Sequence, residues 1–358
     1  MIDFMSALYL GLDHASRHLP AWSRLTLGKP RALEVPPGTR RVEQQLAVLV
    51  GCERALLYSS TLHLFSDLFA QLAQSQVNIF VDAGTYPIVR WGVERAACAG
   101  TLVTSFKQYD LDSLQEALDA VDDKPPIIVA DGYCPARGKS APIAKYLAHA
   151  RARRGLVVID DSQALGIFGR RAQSVTYGVG GGGSAQYAGV ADGRLILGSS
   201  LAKAFGVPVA VLAGSSAMLD EFERKSGTRV HCSPPSVAMV AAAARASAIN
   251  RRRGDALRMT LAQRVSRFRQ GLRKLGLIAI PSLFPMQPIR LPENIAAEDL
   301  HEELRERGIE TVLHRGEGGG KAWISFILTA RHSANEIDTA LAHLAGALAR
   351  EQRLRFET

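Results

Sequence analysis

The sequence predicts an α/β fold in which a large domain with a mostly parallel sheet is followed by a smaller α+β domain. Four short apolar runs recur through the middle of the chain, at residues 127–130, 156–159, 195–197 and 209–212. Short, continuous runs with many β-branched residues are typical of strands that are buried on both faces. After about residue 250, strand-like pieces and amphipathic helices replace this pattern. A chain of 358 residues is long enough for both domains.

The segment between the first two runs predicts a helix. Ser140 can cap the start of this helix, Pro142 suits its first turn, and Gly155 can end it. A strand, a helix and a second strand in this order form a βαβ unit, in which the connection is nearly always right-handed. Units of this kind place helices on both faces of a mostly parallel sheet.

The C-terminal third predicts a smaller domain of its own. Residues 323–328 are strand-like, and Ser333 with Glu336 has the spacing of a capping box at the start of the last helix. That helix carries an apolar stripe, formed by Ile337, Leu341, Leu344 and Leu348. A long Ala-rich helix from Val237 to about Arg253 precedes this part of the chain.

The change of pattern near residue 250 divides the chain into three predicted parts. These are an N-terminal arm at 1–40, a large domain at 41–250 and a small domain at 251–358. No apolar run reaches the roughly 18 residues that span a bilayer. The N-terminus also lacks the basic and apolar regions of a signal peptide. We therefore expect a cytoplasmic protein without a membrane span.

The net charge of +9 favours an anionic substrate or cofactor over nucleic acid. Basic residues are dispersed apart from short runs such as 251–253, and neither an aromatic RNA-binding platform nor a helix-turn-helix pattern accompanies them. The four cysteines are scattered without the spacing of a zinc site. We therefore expect no metal site and a reducing compartment.

A Gly-rich segment runs from Tyr177 to Ser184 and contains a literal GxGxxG at Gly178, Gly180 and Gly183. A dinucleotide-binding fingerprint must follow a strand and open a helix, and this segment, which comes after RRAQSVTY, shows neither pattern. We interpret the segment as a mobile loop rather than a nucleotide site. As a lid or an entrance loop it would reshape a substrate pocket.

Asp160 and Lys203 form the pair that carries chemistry. Asp160 ends the second apolar run and Lys203 follows the third, and the carboxyl ends of strands are where open α/β sheets hold ligands. Alone, the aspartate could cap a turn and the lysine could be solvated. Together they match the needs of pyridoxal 5′-phosphate (PLP), which takes a partly desolvated lysine to form an imine and a carboxylate to keep its pyridine nitrogen protonated.

The cofactor phosphate requires hydroxyls and backbone N–H groups, which a helix N-terminus supplies. Ser60, Thr61 and Leu62 stand at the start of an apolar helical segment and are the candidates for this cradle. Ser200, three residues before Lys203, can add a hydroxyl. Serines before a helix are also common as simple N-caps, so both interpretations stay open.

Five segments resemble the α-oxoamine synthases, a family of fold type I PLP-dependent transferases that includes 8-amino-7-oxononanoate synthase, 2-amino-3-ketobutyrate CoA ligase and serine palmitoyltransferase. The matching segments are YLGL at 9–12, ALLYSS at 55–60, Asp131-Gly132, GKSAPI at 138–143 and SLAKAFG at 200–206. The resemblance implies PLP on Lys203, Asp131 beside the cofactor, and a homodimer with its sites at the interface. In such a dimer, Ser233 lies in a segment that approaches the cofactor phosphate of the other subunit.

Three positions depart from the family's pattern. Tyr86 stands where the family stacks a histidine on the cofactor ring, and a tyrosine can stack but cannot exchange protons near neutral pH. Gln163 stands where the family has a histidine at the cofactor's 3′-oxygen, and its spacing from Asp160 resembles the D-E-x-Q motif of class III aminotransferases. Ser325 aligns, across a gap near 318–320, with the arginine that binds the substrate carboxylate.

The reaction stays open between two main alternatives. Whole-chain resemblance favours an α-oxoamine synthase-like acyltransferase, in which an amino acid and an acyl thioester condense with loss of carbon dioxide. Gln163 and Tyr86 favour an aminotransferase that acts on an amine or amino acid and an aldehyde or ketone. Without an arginine at Ser325, a substrate carboxylate loses its bidentate partner unless Arg315 or Arg331 substitutes.

Other reactions and partners are also compatible with the sequence. The same fold could host a different PLP-dependent lyase or aldolase, or a binding protein without catalysis, although the retained Lys203 and Asp160 argue against the binding protein. In a biosynthetic acyltransferase, either coenzyme A or an acyl-carrier protein could deliver the acyl group. The positive charge suits both carriers.

Overall fold

The computed structural model of the chain describes residues 1–279, 282–293, 295–315 and 321–354, with side chains up to residue 350. The strands in these residues are β1 (Ile2–Asp3), β2 (Arg54–Tyr58), β3 (Asn78–Asp82), β4 (Val103–Phe106), β5 (Pro126–Asp131), β6 (Tyr133–Cys134), β7 (Lys139–Ser140), β8 (Leu156–Asp160), β9 (Leu195–Ser200), β10 (Ala210–Gly214), β11 (Ile278–Ala279), β12 (Met286–Arg290), β13 (Ile309–Glu310), β14 (Val312–His314) and β15 (Trp323–Ile327). The α-helices are α1 (Thr39–Val50), α2 (Thr61–Leu72), α3 (Pro87–Cys98), α4 (Leu111–Asp119), α5 (Ile143–Ala152), α6 (Ser184–Ala188), α7 (Ser216–Lys225), α8 (Gly227–His231), α9 (Val237–Lys274), α10 (Ala297–Glu306) and α11 (Ala334–Leu354).

A seven-stranded sheet with the order β2-β10-β9-β8-β5-β3-β4 forms the centre of the larger part of the protein. Strands β9, β8, β5, β3 and β4 run parallel, whereas β10 is antiparallel to both of its neighbours. The mostly parallel sheet is confirmed, and the four apolar runs form β5, β8, β9 and β10. Because only residues 201–209 join β9 to β10, the connection is too short for the crossover that a parallel pair requires.

Helix α2 lies close against the sheet because glycines remove side chains at its contacts. A Cβ atom at Gly198, on β9, would lie 2.5 Å from the ring of Phe65, and one at Gly92, on α3, would lie 2.8 Å from the carbonyl oxygen of Phe65. Phe65 and Phe69 are fully buried here, in a cluster that includes side chains of β3, β5 and β8. The N-terminus of α2 is therefore fixed relative to the ends of the central strands.

The predicted βαβ unit is present as β5, α5 and β8, but the start of its helix differs from the prediction. Ser140 belongs to β7 and is exposed, and Pro142 itself is the N-cap residue of α5, without a side-chain cap. At the other end, the Gly155 amide donates to the carbonyl oxygen of Ala150 at 2.7 Å, as expected of a residue that closes a helix. The left-handed backbone conformation falls on Arg154, with a φ of 57°.

The chain forms two compact units. One unit comprises Leu12–Cys134 and Ser140–Asp255 and contains the seven-stranded sheet. The other comprises Met1–Gly11, Pro135–Lys139 and Ala256–Thr358. The division into an N-terminal arm and two domains stays a prediction, and these two units are a separate description of the chain. Among the described residues, every helix is too short or too polar to cross a membrane.

The second unit contains a four-stranded antiparallel sheet with the order β11-β12-β15-β14, and β1 pairs with β13 in parallel. The predicted capping box is present, because the Ser333 amide donates to Glu336 Oε2 at 2.7 Å and the Glu336 amide donates to Ser333 Oγ at 3.1 Å. The predicted apolar stripe of α11 is buried. The predicted end of the Ala-rich helix near Arg253 is wrong, since α9 continues to Lys274.

Candidate active site

Three aspartates end neighbouring strands at the carboxyl edge of the seven-stranded sheet. Asp82 ends β3, Asp131 ends β5 and Asp160 ends β8, and the strand register pairs Asp131 directly with Asp160. These strands are parallel neighbours, so their carboxyl ends meet at one edge, where open α/β sheets bind ligands. The sequence predicted a ligand site at this edge from Asp160, and the structure places a group of carboxylates there.

Lys203 lies in a tight loop that begins where β9 ends. The Gly206 amide donates to the Lys203 carbonyl oxygen at 3.2 Å. Gly166 approaches this loop so closely that a Cβ atom there would lie 2.5 Å from Cβ of Ala204, and its φ is +84°. Both conditions favour glycine. The chain after Asp160 and the loop with Lys203 are therefore fixed against each other.

Burial and charge set the protonation of these groups. Burial lowers the pKa of Lys203, and the carboxylates of Asp160 and Asp131 oppose this change. Burial also raises the pKa of Asp160, against the hydrogen bonds of Ser162 and the charge of Lys203. The pKa of Asp131 is raised well above its usual range, first by burial and then by the charge of Asp160.

These shifts fit PLP. A lysine with a lowered pKa is more available as a neutral amine, the form that attacks a carbonyl carbon. A buried carboxyl group gains from a cationic partner, because its own charge is costly away from water. Lys203 would hold the cofactor, and Asp160 would hold the protonated pyridine nitrogen. The site needs no residue beyond those already at the strand edge for these two contacts.

Hydrogen bonds of Ser162 link the end of β8, where Asp160 lies, to the loop that contains Lys203. Its amide donates to Asp160 Oδ1 at 2.9 Å, and its hydroxyl oxygen accepts from the Ser200 amide at 2.9 Å. Ser200 Oγ in turn accepts from the Ala202 amide at 3.2 Å, next to Lys203. A chain of hydrogen bonds therefore joins the end of β8 to the loop that contains Lys203.

Tyr86 stands beside Asp131 at the start of α3. The Tyr86 amide donates to Asp131 Oδ1 at 3.1 Å, and the Tyr109 hydroxyl donates to the Asp131 carbonyl oxygen at 3.0 Å. The Tyr86 side chain is 55% exposed, so an aromatic surface next to the strand ends is open to a planar ligand. Tyr109 was missed in the sequence because no pattern marks a residue that reaches a neighbouring strand end from a loop.

Ser60 caps α2 and begins the candidate phosphate cradle. Its Oγ accepts from the His63 amide at 3.3 Å and lies 2.8 Å from His63 Nδ1. Thr61 and Leu62 form the first turn of α2, where backbone N–H groups have no partner within the helix. The Ser60 side chain therefore caps α2, and the role of Ser60, Thr61 and Leu62 toward a phosphate stays a prediction.

Ser233 and Gln163 occupy different surroundings. Ser233 is exposed, and its carbonyl oxygen accepts from Ser59 Oγ of the same chain at 3.2 Å. The segment with Ser233 therefore lies beside its own chain's α2 N-terminus. Gln163 is partly buried in the turn after β8, three residues beyond Asp160. The roles of these residues toward a cofactor stay predictions.

The Gly-rich segment at 177–184 is held within the structure. The Gly166 amide donates to the Gly181 carbonyl oxygen at 2.8 Å, and the Gly183 amide donates to the Phe168 carbonyl oxygen at 2.7 Å. Gly181 and Gly183 are buried. The expectation that this segment opens no helix is wrong, since α6 begins at Ser184. The glycines permit close contacts here, and the mobility of the segment stays a prediction.

Asp161 explains part of this close packing and was also missed in the sequence. Its carboxylate is completely buried and accepts from the Ser184 amide at 3.0 Å. A Cβ atom would lie 1.8 Å from Asp161 Oδ2 at Gly183 and 2.4 Å from Oδ1 at Gly132. Burial raises the pKa of Asp161 to about 7. The doublet with Asp160 was a signal, since successive residues of a strand point to opposite faces.

The second unit contains the position predicted for a substrate-carboxylate arginine. Ser325 lies in β15, is completely buried, and its hydroxyl has no hydrogen-bond partner among the described residues. Arg331 Nε donates to the Gly11 carbonyl oxygen at 2.6 Å, so this arginine is engaged with the N-terminal segment of its own unit. Arg315 is exposed. The alignment gap at 318–320 lies outside the described residues.

Comparison with known proteins places this chain in a family. Residues 16–344 match the family model described as aminotransferase class I and II. The 8-amino-7-oxononanoate synthase of Cronobacter sakazakii is 29% identical over 356 residues, which are 96% of this chain and 88% of that protein. The enzyme of the same name from Alcanivorax borkumensis is 27% identical over 311 residues, or 86% of this chain and 76% of that protein.

Solved structures confirm the predicted fold. Serine palmitoyltransferase of Sphingomonas wittichii is 18% identical with a TM-score of 0.83, over 97% of this chain and 87% of that chain. A serine palmitoyltransferase variant from S. paucimobilis with a bound PLP–myriocin aldimine has a TM-score of 0.83 at 16% identity, with the same coverage of 97% and 87%. For 8-amino-7-oxononanoate synthase of Francisella tularensis the TM-score is 0.73 at 20% identity, over 98% of both chains.

Proposed function

We propose that this chain joins an amino acid to an acyl thioester. The premise is that the chain belongs to the aminotransferase class I and II family and is a PLP-dependent, α-oxoamine synthase-like transferase. The observation that carries the proposal is the meeting of Lys203, Asp160 and Asp131 at one strand edge. In this reaction a carbon–carbon bond forms between the amino acid's α-carbon and the acyl carbonyl carbon. The bonds to the carboxyl group and to sulfur break, and carbon dioxide and the free thiol leave.

The residues of the site have separate tasks in this proposal. PLP, when bound, supplies an electron sink for negative charge on the substrate carbon beside the nitrogen. Lys203 holds the cofactor through Nζ and moves the proton at the substrate α-carbon. Asp160 holds the proton at the pyridine nitrogen, and Tyr86 covers the ring. Gln163 donates to the 3′-oxygen.

The phosphate end and the assembly belong to the same proposal. Backbone N–H groups of Thr61 and Leu62, with the hydroxyls of Ser60 and Ser200, bind the phosphate. The protein is a cytoplasmic homodimer, and Ser233 approaches the phosphate from the partner subunit. Coenzyme A or an acyl-carrier protein delivers the acyl group, and the net charge of +9 attracts either anionic carrier.

Amino transfer is a second candidate, and Ser325 favours it. The buried Ser325 hydroxyl offers no positive charge to a substrate carboxylate, and Arg331 is engaged with Gly11. Tyr86 and Gln163 also replace the family's two histidines at the cofactor. In this alternative the nitrogen of an amine passes to an aldehyde or ketone, and Lys203 moves the proton between the two carbon atoms concerned.

Two products distinguish the candidates. Purified protein loaded with PLP is supplied with amino acids or amines and then with either acyl thioesters or keto compounds. Stoichiometric release of carbon dioxide and free thiol supports the acyltransferase, whereas conversion of the keto compound to an amine without release of carbon dioxide supports amino transfer. The Lys203→Ala protein is the control for uncatalysed exchange. Binding of PLP at another lysine would reject both candidates.

A further inference from the structure

A buried aspartate on α2 holds the start of the segment that leads to Ser233. Asp67 lies in the second turn of α2 and is 4% exposed. Its carboxylate accepts from the amides of Gly227 at 3.0 Å and Thr228 at 3.4 Å, and from the hydroxyls of Ser226 and Thr228, the latter at 2.9 Å. Hydrogen bonds to an ionised acceptor are about twice as strong as neutral ones. This one side chain therefore fixes three consecutive residues.

The end of the same segment is fixed at the start of α2. Ser59 Oγ donates to the Ser233 carbonyl oxygen at 3.2 Å, and the Arg31 amide donates to the Cys232 carbonyl oxygen at 3.1 Å. Ser59 directly precedes Ser60, the N-cap residue of α2. The segment at 226–233 is thus attached to α2 at one end through Asp67 and at the other beside the candidate phosphate cradle.

Polar bonds, rather than apolar packing, determine the position of this segment. Helix α8 within it has no buried residue. A segment whose helix buries no side chain depends largely on its hydrogen bonds for a defined position, since ordering the backbone costs conformational entropy. Asp67 accepts four hydrogen bonds from this segment, whereas Ser59 donates one to it.

We propose that Asp67 is a positioning residue for the binding of the cofactor phosphate. It holds the segment at 226–233 against α2, so that the first turn of α2 keeps the geometry that a phosphate dianion requires and Ser233 keeps the position from which it approaches the phosphate bound by the other subunit. Asp67 acts through this segment and does not contact the cofactor. The inference rests on the proposed function, which assigns the phosphate to the N-terminus of α2.

Comparison of PLP with pyridoxal, which lacks the phosphate, tests the inference. Equilibrium dialysis of the full chain gives the Kd of each ligand. Asp67→Ala is expected to raise the Kd of PLP about tenfold, and to change that of pyridoxal by less than about twofold, because only the phosphate contacts depend on the segment. Thr228→Val, which removes one hydroxyl donor to Asp67, is expected to change the PLP Kd in the same direction by about threefold.

Asp67→Asn and Glu336→Ala complete the series. Asn keeps an acceptor for the two amides and should restore part of the PLP affinity. Glu336→Ala removes the capping bonds of α11 in the other unit and should leave the ratio of the two Kd values unchanged. An equal loss of affinity for both ligands, or an unchanged PLP Kd in folded protein, would contradict the inference.

The same series separates this inference from the proposed function. If Asp67→Ala does not fold, the ratio for Thr228→Val decides. Wild-type protein that binds neither PLP nor pyridoxal would reject the proposed function, and the role of Asp67 with it. Wild-type protein that binds PLP through Lys203, with variants that leave the Kd ratio unchanged, would reject only the role of Asp67.

Discussion

The carboxyl edge of the seven-stranded sheet and the face of the C-terminal sheet around Ser325 treat buried polar groups differently. At the strand edge, Asp160 and Asp131 each accept a hydrogen bond from a backbone amide. On the other face, Ser325 Oγ and His314 Nε2 are buried without a hydrogen-bond partner among the described residues. His314 shares the face with Ser325, because Val312, two residues before it on β14, pairs with Ser325.

This difference distinguishes the predicted cofactor site from the predicted position of the substrate carboxylate. Hydrogen bonds to the buried carboxylates at the strand edge suit a retained cofactor site, since buried charges without partners are costly. The alignment predicts that Ser325, a small neutral residue, stands where the family has a charged arginine. Burial lowers the pKa of the neighbouring His314 below its ordinary value of 6.5, which favours a neutral imidazole at pH 7. We therefore predict that the chain retains cofactor chemistry, whereas its recognition of a substrate carboxylate differs from that of the family.

The largest expected effect is at Lys203. Lys203→Ala should lower turnover by about a thousandfold or more, because the variant lacks the amine that the proposal assigns to holding the cofactor. Borohydride reduction of the wild-type protein, followed by peptide mass spectrometry, should place the cofactor on Lys203 and leave the variant unlabelled. Lys145→Ala, at an exposed position on α5, is the matched control. Labelling of a different lysine in the wild type would remove the cofactor from this edge.

Asp160→Asn should lower turnover by about a hundredfold while the cofactor remains attached to Lys203. The amide keeps the shape of the carboxyl group and can still accept from the Ser162 amide, but it cannot hold a proton at the pyridine nitrogen. The two measurements are turnover and the stoichiometry of borohydride labelling. Asp123→Asn, in an exposed loop, serves as the control. Unchanged turnover would show that Asp160 supports only the local fold.

Asp161 predicts a pH dependence of stability. Its pKa is raised to about 7 by burial, so the folded state binds the proton more tightly than the unfolded state does. Stability from this group is complete below about pH 4 and falls until about pH 7. Asp161→Asn should remove this dependence, which is worth about 2–4 kcal/mol of unfolding free energy over that range.

Urea unfolding at several pH values measures the effect of Asp161. The Asn side chain keeps an acceptor for the Ser184 amide, so the Gly-rich segment should stay in place. Asp123→Asn should leave the pH dependence of the wild type intact. A variant that loses as much stability as the wild type between pH 4 and pH 7 would assign the dependence to other buried acids, such as Asp131.

Local patterns were sufficient to predict the sheet and the position of the candidate site. Apolar runs marked β5, β8 and β9, and the aspartate and lysine that follow strands marked the carboxyl edge. The direction of β10 was not evident from its apolar run, because antiparallel and parallel strands buried on both faces have the same composition. The short connection before it was the available signal.

Other features depended on contacts between distant parts of the chain. The Gly-rich segment looked mobile because glycine is flexible by itself, and only the close approach of Asp161 explains why small residues are needed there. The Arg-rich run at 251–253 looked like the end of a helix, yet arginine has a high helix propensity and α9 continues through it. Neither outcome follows from a local pattern.

The smallest expected effect concerns Ser325 itself and sharpens the contrast between the two regions. Ser325→Ala removes a buried hydroxyl without a partner, so the free energy of unfolding should stay the same or rise by about 1 kcal/mol. Thr329→Val, two residues beyond the end of β15, removes a buried hydroxyl that accepts from the Arg331 amide at 3.3 Å and lies 3.0 Å from His332 Nδ1. That variant should lose about 1–2 kcal/mol. Urea denaturation of both proteins measures the difference, and a loss at Ser325 as large as that at Thr329 would mean that the Ser325 hydroxyl has a partner in solution.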